Sequence, residues 1–228
     1  MLMGNVRSMY ETRITALKEH PRRKGRYVVE IAGQAIGAIS VESIAELGLR
    51  VGDDVSPELR ERIETGARRV ACFDRAMDAL ARRARSRADL GRWLREREFA
   101  APDIEAALDR LVALGLLDDH AFARGYARTR LAAGRGFGPR RVAAELSRRG
   151  VARGVVDAVL AELADEAGAP DERTAARAVA ERRAKSLRGL APEVARRRLV
   201  AFLVRRGFGQ GTAFEAARLT LAGSRLTD

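Results

Sequence analysis

The chain has 228 residues, of which 46% are hydrophobic and 32% are charged. It is long enough for one or two packed domains, and its apolar content argues against disorder throughout. No apolar run approaches the ~18 residues of a membrane helix, and residues 1–26 contain no apolar segment of a secretory signal. We therefore expect a cytoplasmic protein without a membrane partner. One cysteine, Cys72, cannot form an internal disulfide, and two histidines are too few for a conventional zinc cluster.

The charge is strongly basic and unevenly distributed. Lys and Arg number 43 against 31 Asp and Glu, which gives a net charge of +12. Residues 1–65 are neutral, whereas residues 66–118, 119–170 and 171–228 carry +2, +3 and +7. A positive field of this kind attracts polyanions, so nucleic acid or an acidic protein surface is the expected partner.

Residues 1–65 are predicted to form a small module that contains a β-hairpin. Segment 27–31 is rich in strand-forming residues and is followed by Gly33-Gln34 and a second apolar segment, 35–39. Glycine at the first place of a two-residue loop favours a type II′ turn. We therefore place the loop of the hairpin at Gly33-Gln34.

Two helices are predicted to follow the hairpin. Ser40 can cap a short helix that runs to Leu47, and Gly48 suits the left-handed conformation that ends many helices. Ser56 and Pro57 mark the start of another helix, because serine is a favoured N-cap and proline is favoured in the first turn.

From residue 73 onward the apolar positions repeat with a period of about 50 residues. Copies one and two align at a shift of 52 residues, and copies two and three at a shift of 57. The shifts superimpose the apolar pairs at 90/94, 142/146 and 199/203, and the Arg-Gly pairs at 149–150 and 206–207. We predict a mainly α fold with three tandem three-helix repeats, at residues 66–118, 119–170 and 171–228, after the N-terminal β-hairpin module of residues 1–65. Stacked copies bury more surface than one copy can, so an elongated array, right- or left-handed, is expected.

Each copy is predicted to contain three short helices. The first helices are placed at 75–83, 120–131 and 173–186, and the third at 103–114, 155–164 and about 211–222. The second helix ends near Gly150 or Gly207, which are favoured helix stops. In copy three, Ala213, Ala217 and Thr220 replace larger apolar residues, as expected of a terminal repeat.

No pattern in the sequence predicts an active site. The glycine-rich run 134–139 joins two helices and follows no strand, so it is interpreted as a flexible connector and not as a phosphate-binding loop. The paired acids at 118–119 and 165–166 are interpreted as charges at helix N-termini. We therefore expect a protein that is not an enzyme and that needs no cofactor and no metal.

The candidate binding residues are arginines on the second helices of copies two and three. Arg141 and Arg148 lie seven residues apart, which is about two helical turns, so they share one face. The repeat alignment places Arg198 and Arg205 at the same two positions. We predict that copies two and three contact phosphates through these helices. The predicted set is Arg140, Arg141, Arg148, Arg149, Arg197, Arg198, Arg205 and Arg206.

The predicted binding role differs between the copies and between the arginines of one helix. Copy one carries acids, Asp89 and Glu96, where the other copies have the paired arginines, so it is predicted not to contact phosphates. Arginines in the last turn of a helix also interact favourably with the helix dipole, which accounts for those at 148–149 and 205–206 without a ligand. The arginines at 141 and 198 lie near helix starts, where a cation is unfavourable, so a binding role is preferred for them.

Several segments resemble a known family. The segments are Leu114-Gly-Leu-Leu-Asp-Asp-His-Ala-Phe-Ala123, Gly136-Phe-Gly-Pro-Arg-Arg-Val-Ala-Ala-Glu-Leu-Ser-Arg-Arg-Gly150 and Leu203-Val-Arg-Arg-Gly-Phe208. With residues 14–17 and 48–52, they resemble the RecX family of recombination regulators over roughly residues 13–222.

The resemblance implies tandem three-helix units and a non-enzymatic protein, most simply a monomer. It also implies binding along the groove of the RecA recombinase–DNA filament, with restraint of strand exchange, ATP hydrolysis and coprotease activity in DNA repair and the SOS response. Single-stranded DNA is the expected nucleic acid, with duplex DNA as a further candidate. The family has no catalytic residues to carry over.

Two other classes of function stay open from the residues alone. A three-helix unit with a basic helix also suits a helix-turn-helix-like, sequence-specific DNA-binding regulator. A purely structural helical scaffold would make the basic charge incidental. A large affinity ratio between specific and random duplexes would favour the DNA-binding regulator.

Overall fold

The computed structural model of the chain describes residues 12–132, 136–166 and 171–223. These residues form mainly helices together with one small antiparallel sheet, as the sequence predicts. The described residues divide into two compact units, the first comprising residues 12–84 with Leu90–Leu116, and the second comprising Arg85–Asp89 with the described residues from 117 onward. No helix in these ranges is both long and apolar enough to cross a membrane.

The sheet of the first unit has three strands in the order β1 (Ile14–Glu19), β2 (Arg26–Ile31) and β3 (Gln34–Ser40). The predicted hairpin is formed by β2 and β3, and β1 adds a strand that the sequence did not predict. The predicted type II′ loop is wrong by one residue. Ala32 and Gly33 form the loop, with φ angles of +52° and +79°. Positive φ at both loop residues is the pattern of a type I′ turn, which matches the twist of the two strands.

The two helix starts predicted for the N-terminal module are confirmed. Helix α1 (Val41–Leu47) begins after Ser40, whose Oγ accepts a hydrogen bond from a backbone N–H of the first turn at 3.1 Å. It ends at Gly48, which has a left-handed φ of +64°. Helix α2 (Pro57–Arg82) begins after Ser56, whose Oγ accepts an equivalent bond at 3.2 Å. Local capping chemistry therefore determines both starts.

Helix α2 is continuous over 26 residues. The boundary predicted between residues 65 and 66 falls inside it, and so does the predicted start of the first repeat helix at residue 75. Gly66 does not interrupt the helix and lies against Ile39 of β3. The core that joins the sheet to α2 consists of Ile14, Val29, Ile31, Ile39, Leu49, Val55, Ile63 and Ala67.

Three-helix units continue along the chain. Their helices are α3 (Arg87–Arg95), α4 (Ala101–Ala113), α5 (Asp119–Leu131), α6 (Pro139–Arg148), α7 (Arg153–Asp165), α8 (Glu172–Ala184), α9 (Pro192–Arg205) and α10 (Gln210–Gly223), with a 3₁₀ turn at Lys185–Leu187. The two repeat shifts superimpose buried residues of α4, α7 and α10 at Ile104/Val156/Ala213, Ala107/Val159/Ala216 and Leu111/Leu163/Thr220. The repeat alignment is therefore confirmed by burial.

The paired acids occupy opposite ends of helices. Asp118 caps the N-terminus of α5, where its carboxylate accepts hydrogen bonds from backbone N–H groups at 2.8 and 3.1 Å, as predicted. Asp165 and Glu166 end α7, so the prediction of an N-terminal role is wrong for them. Glu166 accepts hydrogen bonds from Arg124 at 2.6 Å and Arg128 at 2.8 Å, and these bonds lower the pKa of its carboxyl group. The two arginines offset the unfavourable placement of an acid at a helix C-terminus.

In the second unit, the residue before a second helix binds the turn that ends the second helix of the following repeat. The backbone N–H of Gly138, before α6, donates to the carbonyl of Arg206 at 2.8 Å. At the equivalent position 52 residues earlier, the Ser86 hydroxyl, before α3, donates to the carbonyl of Arg149 at 2.6 Å. We call this arrangement the repeat joint. It occurs twice, and the acceptors, the carbonyls of Arg149 and Arg206, occupy equivalent positions in the repeats.

The glycine-rich run is part of this joint. A Cβ atom at Gly138 would overlap the backbone of Gly207, so the close approach requires glycine here. The interpretation of the run as a flexible connector is therefore wrong for its second half. Residues 134 and 135 lie outside the described residues.

Candidate polyanion-binding surface

The second helices of repeats two and three carry a net positive charge. Helix α6 carries three arginines and one acid, and α9 carries four arginines and one acid. The third helices α4 and α7 each carry one arginine and three acids. The first helices α5 and α8 also carry more arginines than acids, so a polyanion meets attraction at the first and second helices and not at the third helices α4 and α7.

Two of the predicted arginines are held by neighbours within the protein. Arg149 pairs with Asp89 at 3.1 Å, and its guanidinium lies 4.8 Å from the ring centroid of Tyr126. Arg206, at the equivalent position of repeat three, lies over two phenylalanine rings at 5.1 and 5.5 Å. Both are only partly exposed. Their contacts give them a structural role as cations stacked on aromatic rings.

Arg141 is also engaged. Its Nε lies 3.1 Å from Glu145, and its guanidinium lies 4.5 Å from the ring centroid of Phe137. Glu145 also accepts a hydrogen bond from the Tyr126 hydroxyl at 2.6 Å and lies 3.4 Å from Arg130. Partial burial raises the pKa of Glu145, but the hydrogen bonds from Tyr126 and Arg141 outweigh it and leave this pKa below the ordinary value. Glu145 is thus the centre of a small polar network within repeat two.

We expect Glu145→Gln to lower the free energy of unfolding by about 1–3 kcal/mol at pH 7, because three donors lose a charged acceptor. A carboxyl group whose pKa is lowered by folding stabilises the fold above its unfolded-state pKa, and this stabilisation is lost as the pH falls through the folded-state pKa. Urea unfolding of both proteins at pH 7 and at about pH 3 measures the difference. The difference in the free energy of unfolding between the wild type and the variant should be smaller at the lower pH. A difference that does not change with pH would contradict the charge-based explanation.

Five of the predicted arginines are exposed and form no ion pair with any other described residue: Arg140, Arg148, Arg197, Arg198 and Arg205. Arg148 and Arg205 occupy equivalent positions in the last turns of α6 and α9. We call these five residues the free arginines. They are available to an external anion without the loss of an internal partner.

The sequence places two acids of repeat one, Asp89 and Glu96, at the positions of the paired arginines, but only Glu96 lies on the surface. Asp89 is not a surface counterpart of Arg141, because its side chain is 16% exposed and paired with Arg149. Glu96 is the exposed acid of the two, with 67% of its side chain accessible. The partner of Asp89 lies 60 residues away, and no local sequence signal indicates the pair.

The residues with catalytic potential, Cys72 and His120, are engaged by burial or by an ion pair within the protein. Cys72 is buried, and burial, followed by the charge of Asp103, raises the pKa of its thiol to about 11. A thiol of this kind is a poor nucleophile at neutral pH. His120 Nε2 lies 2.9 Å from a carboxylate oxygen of Glu162. In the described ranges, no three His, Cys, Asp or Glu side chains are grouped so that they could hold a metal ion.

Three family models match the three repeats. Their descriptions are RecX first three-helix domain at residues 72–111, second three-helix domain at 118–160 and third three-helix domain at 171–216. Regulatory protein RecX of Thermobifida fusca (strain YX) is 40% identical over 139 residues, which cover 61% of this chain and 72% of the relative. The chain belongs to the RecX family. Regulatory protein RecX of Mycobacterium sp. (strain KMS) is 40% identical over 150 residues, which cover 64% of this chain and 79% of the relative.

Solved structures of RecX proteins share the fold. A crystal structure of regulatory protein RecX matches with a TM-score of 0.74 at 20% identity and covers 88% of this chain and 96% of that chain. RecX from Lactobacillus salivarius matches with a TM-score of 0.59 at 17% identity and covers 67% of this chain and 96% of that chain. The fold class predicted from the sequence, mainly α with three-helix repeats and an N-terminal β module, is confirmed.

Proposed function

We propose that this chain binds the RecA recombinase–DNA filament and restrains its strand exchange, ATP hydrolysis and coprotease activity, in DNA repair and the SOS response. Membership in the RecX family, whose curated members are named regulatory proteins, is the observation that carries the proposal. The free arginines support it, because they offer uncommitted cations on two successive repeats. We further propose that the protein acts as a cytoplasmic monomer and contacts DNA phosphates through repeats two and three.

Binding at several points along one chain suggests how the filament is restrained. Each repeat joint fixes the start of one second helix to the turn at the end of the next. Arginines on successive repeats therefore meet a repetitive partner at a fixed spacing. A protein held on adjacent recombinase subunits opposes their relative motion, and ATP hydrolysis that depends on this motion slows.

Two observations weigh against a helix-turn-helix-like, sequence-specific regulator. Such proteins read bases with the N-terminal residues of a recognition helix. The start of α6 is occupied, since the Arg140 N–H donates to the carbonyl of Gly207 at 3.1 Å. The third helices α4 and α7 carry more acids than bases, so they suit the phosphate-lined groove of a duplex poorly.

The proposal predicts that the protein slows ATP hydrolysis by the cognate RecA on single-stranded DNA. We expect the rate to fall as the protein is added, at concentrations where sedimentation with the filament demonstrates binding. RecA with DNA and no added protein is the reference. An unchanged rate with demonstrated binding would contradict the proposed inhibition.

A further inference from the structure

An apolar groove lies between α9 and α10 in the second unit. Val200, Ala201 and Val204 of α9 line it together with Phe214 of α10. Phe214 is 50% exposed and Val204 is 37% exposed. Helix α10 thus presents its bulky ring outward, while the residues that it buries are alanines and one threonine. Contiguous exposed apolar side chains of this kind often mark an interaction site.

The groove is specific to repeat three. The equivalent positions of repeat two hold Ala143, Ala144, Ser147 and Asp157, and those of repeat one hold Gly91, Arg92, Arg95 and Glu105. The same three-helix fold is therefore built with small, polar or charged residues at these positions. The valines and the phenylalanine are not needed to form a repeat, so their exposure calls for another explanation.

Two arginines and one acid, Glu193, lie at the rim of the groove, which leaves it with a net positive charge. Arg196 lies 5.8 Å from the ring centroid of Phe214 and pairs with Glu193 at 2.6 Å. Arg197, one of the free arginines, also lines the groove. Residues 171–228 carry the highest net charge of the three repeats, +7. Charge complementarity therefore favours an occupant that bears acids beside its apolar side chains.

The shape and chemistry of the floor favour a protein segment over a nucleobase. Bases stack on flat aromatic platforms, and this groove offers one ring beside the aliphatic side chains of Val200 and Val204. Aliphatic grooves between helices accept the apolar face of an amphipathic peptide. We infer that the groove binds an acidic amphipathic segment of a recombinase subunit in the filament, while the free arginines outside it contact the DNA. This inference rests on the proposed function.

The double variant Val204→Ser with Phe214→Gln tests the groove without changing the net charge. Serine is the residue that repeat two carries at the position of Val204, and glutamine is a good helix former, so folding should be preserved. We expect the variant to bind the RecA–single-stranded DNA filament at least about tenfold more weakly, because buried aromatic anchors carry much of an interface's affinity. Its affinity for single-stranded DNA alone should stay within about twofold of the wild type, since no phosphate contact is changed.

Leu219→Gln is the matched control, because Leu219 is 39% exposed on α10 but does not line the groove. It should bind the filament like the wild type, and circular dichroism should show equal helicity for all variants. If the double variant binds the filament as tightly as the wild type, the assignment of the groove is overturned and the proposed function is not. An equal loss of affinity for free DNA would assign the groove to nucleobases and overturn the inference. Failure of the wild type to bind the filament would overturn the proposed function and the inference together.

A photo-crosslinking side chain at position 214 identifies the occupant. With p-benzoylphenylalanine in place of Phe214, mass spectrometry of the crosslinked filament should find a recombinase segment that contains both acids and apolar residues. A crosslink to a segment without acids would contradict the charge argument.

Discussion

Replacing Gly207 by alanine is expected to lower the free energy of unfolding by about 3 kcal/mol or more. Gly207 has a φ of +92°, a conformation that costs an L-residue energy wherever it occurs. A Cβ atom at this position would also overlap the backbone nitrogen and the Cβ of Arg141. These neighbours belong to the first turn of α6, so relief of the overlap requires the repeat joint to open. Urea unfolding monitored by circular dichroism measures the loss.

Gly189→Ala separates the cost of backbone strain from the cost of steric overlap in the repeat joint. Gly189 has a comparable φ of +82°, but a Cβ atom there meets no neighbour within 4 Å. Its replacement should cost only the backbone strain of about 1–2 kcal/mol. Gly150→Ala should resemble Gly207→Ala, because a Cβ atom on Gly150 would overlap Ala88 in the equivalent joint. Equal losses for Gly189→Ala and Gly207→Ala would show that the tight packing of the joint contributes nothing.

The repeats could be predicted because burial follows a local period. Leu90, Val142 and Leu199 are all fully buried at equivalent positions, and their spacing within each helix needs no knowledge of distant contacts. Helix starts were predictable for the same reason, since Ser40 and Ser56 cap their helices through bonds within one turn. The sequence prediction placed a boundary inside α2, although no proline separates its two halves. Glycine is unfavourable in a helix interior, and the contact of Gly66 with Ile39 shows how it is accommodated.

The division of the basic residues into held and free arginines could not be predicted from the sequence. Arg149 and Arg148 are adjacent, but only Arg149 meets an acid and an aromatic ring, and these come from two other helices. Tertiary packing alone determines which guanidinium is engaged. A signal for the apolar groove was present in the alignment, since Phe214 replaces Asp157 of repeat two. Phe214 lies outside the apolar period of α10, whose buried positions are Ala213, Ala216, Ala217 and Thr220, so periodicity alone does not indicate it.

Charge reversal of two free arginines, Arg148→Glu with Arg205→Glu, is expected to weaken binding to single-stranded DNA and to the filament about 10- to 30-fold at 0.1 M salt. Each phosphate contact contributes a slope of about 0.7–0.9 to the dependence of log affinity on log salt, so the slope should decrease by about 1.5. Both residues are exposed and unpaired with described residues, so the fold should not change. Fluorescence anisotropy across a salt series gives affinity and slope together.

The structure determines which residues are suitable for this experiment. Reversal of Arg141 would break its pair with Glu145, and reversal of Asp89 would place two arginines side by side, so neither change would report on binding alone. Arg182→Glu with Arg188→Glu is the matched control, because both residues are exposed, lie outside the predicted set and change the net charge equally. If attraction came only from net charge, the two double variants would lose affinity equally. A larger loss for Arg148→Glu with Arg205→Glu would place phosphate contacts at the ends of α6 and α9, because short-range contacts depend on position and net charge does not.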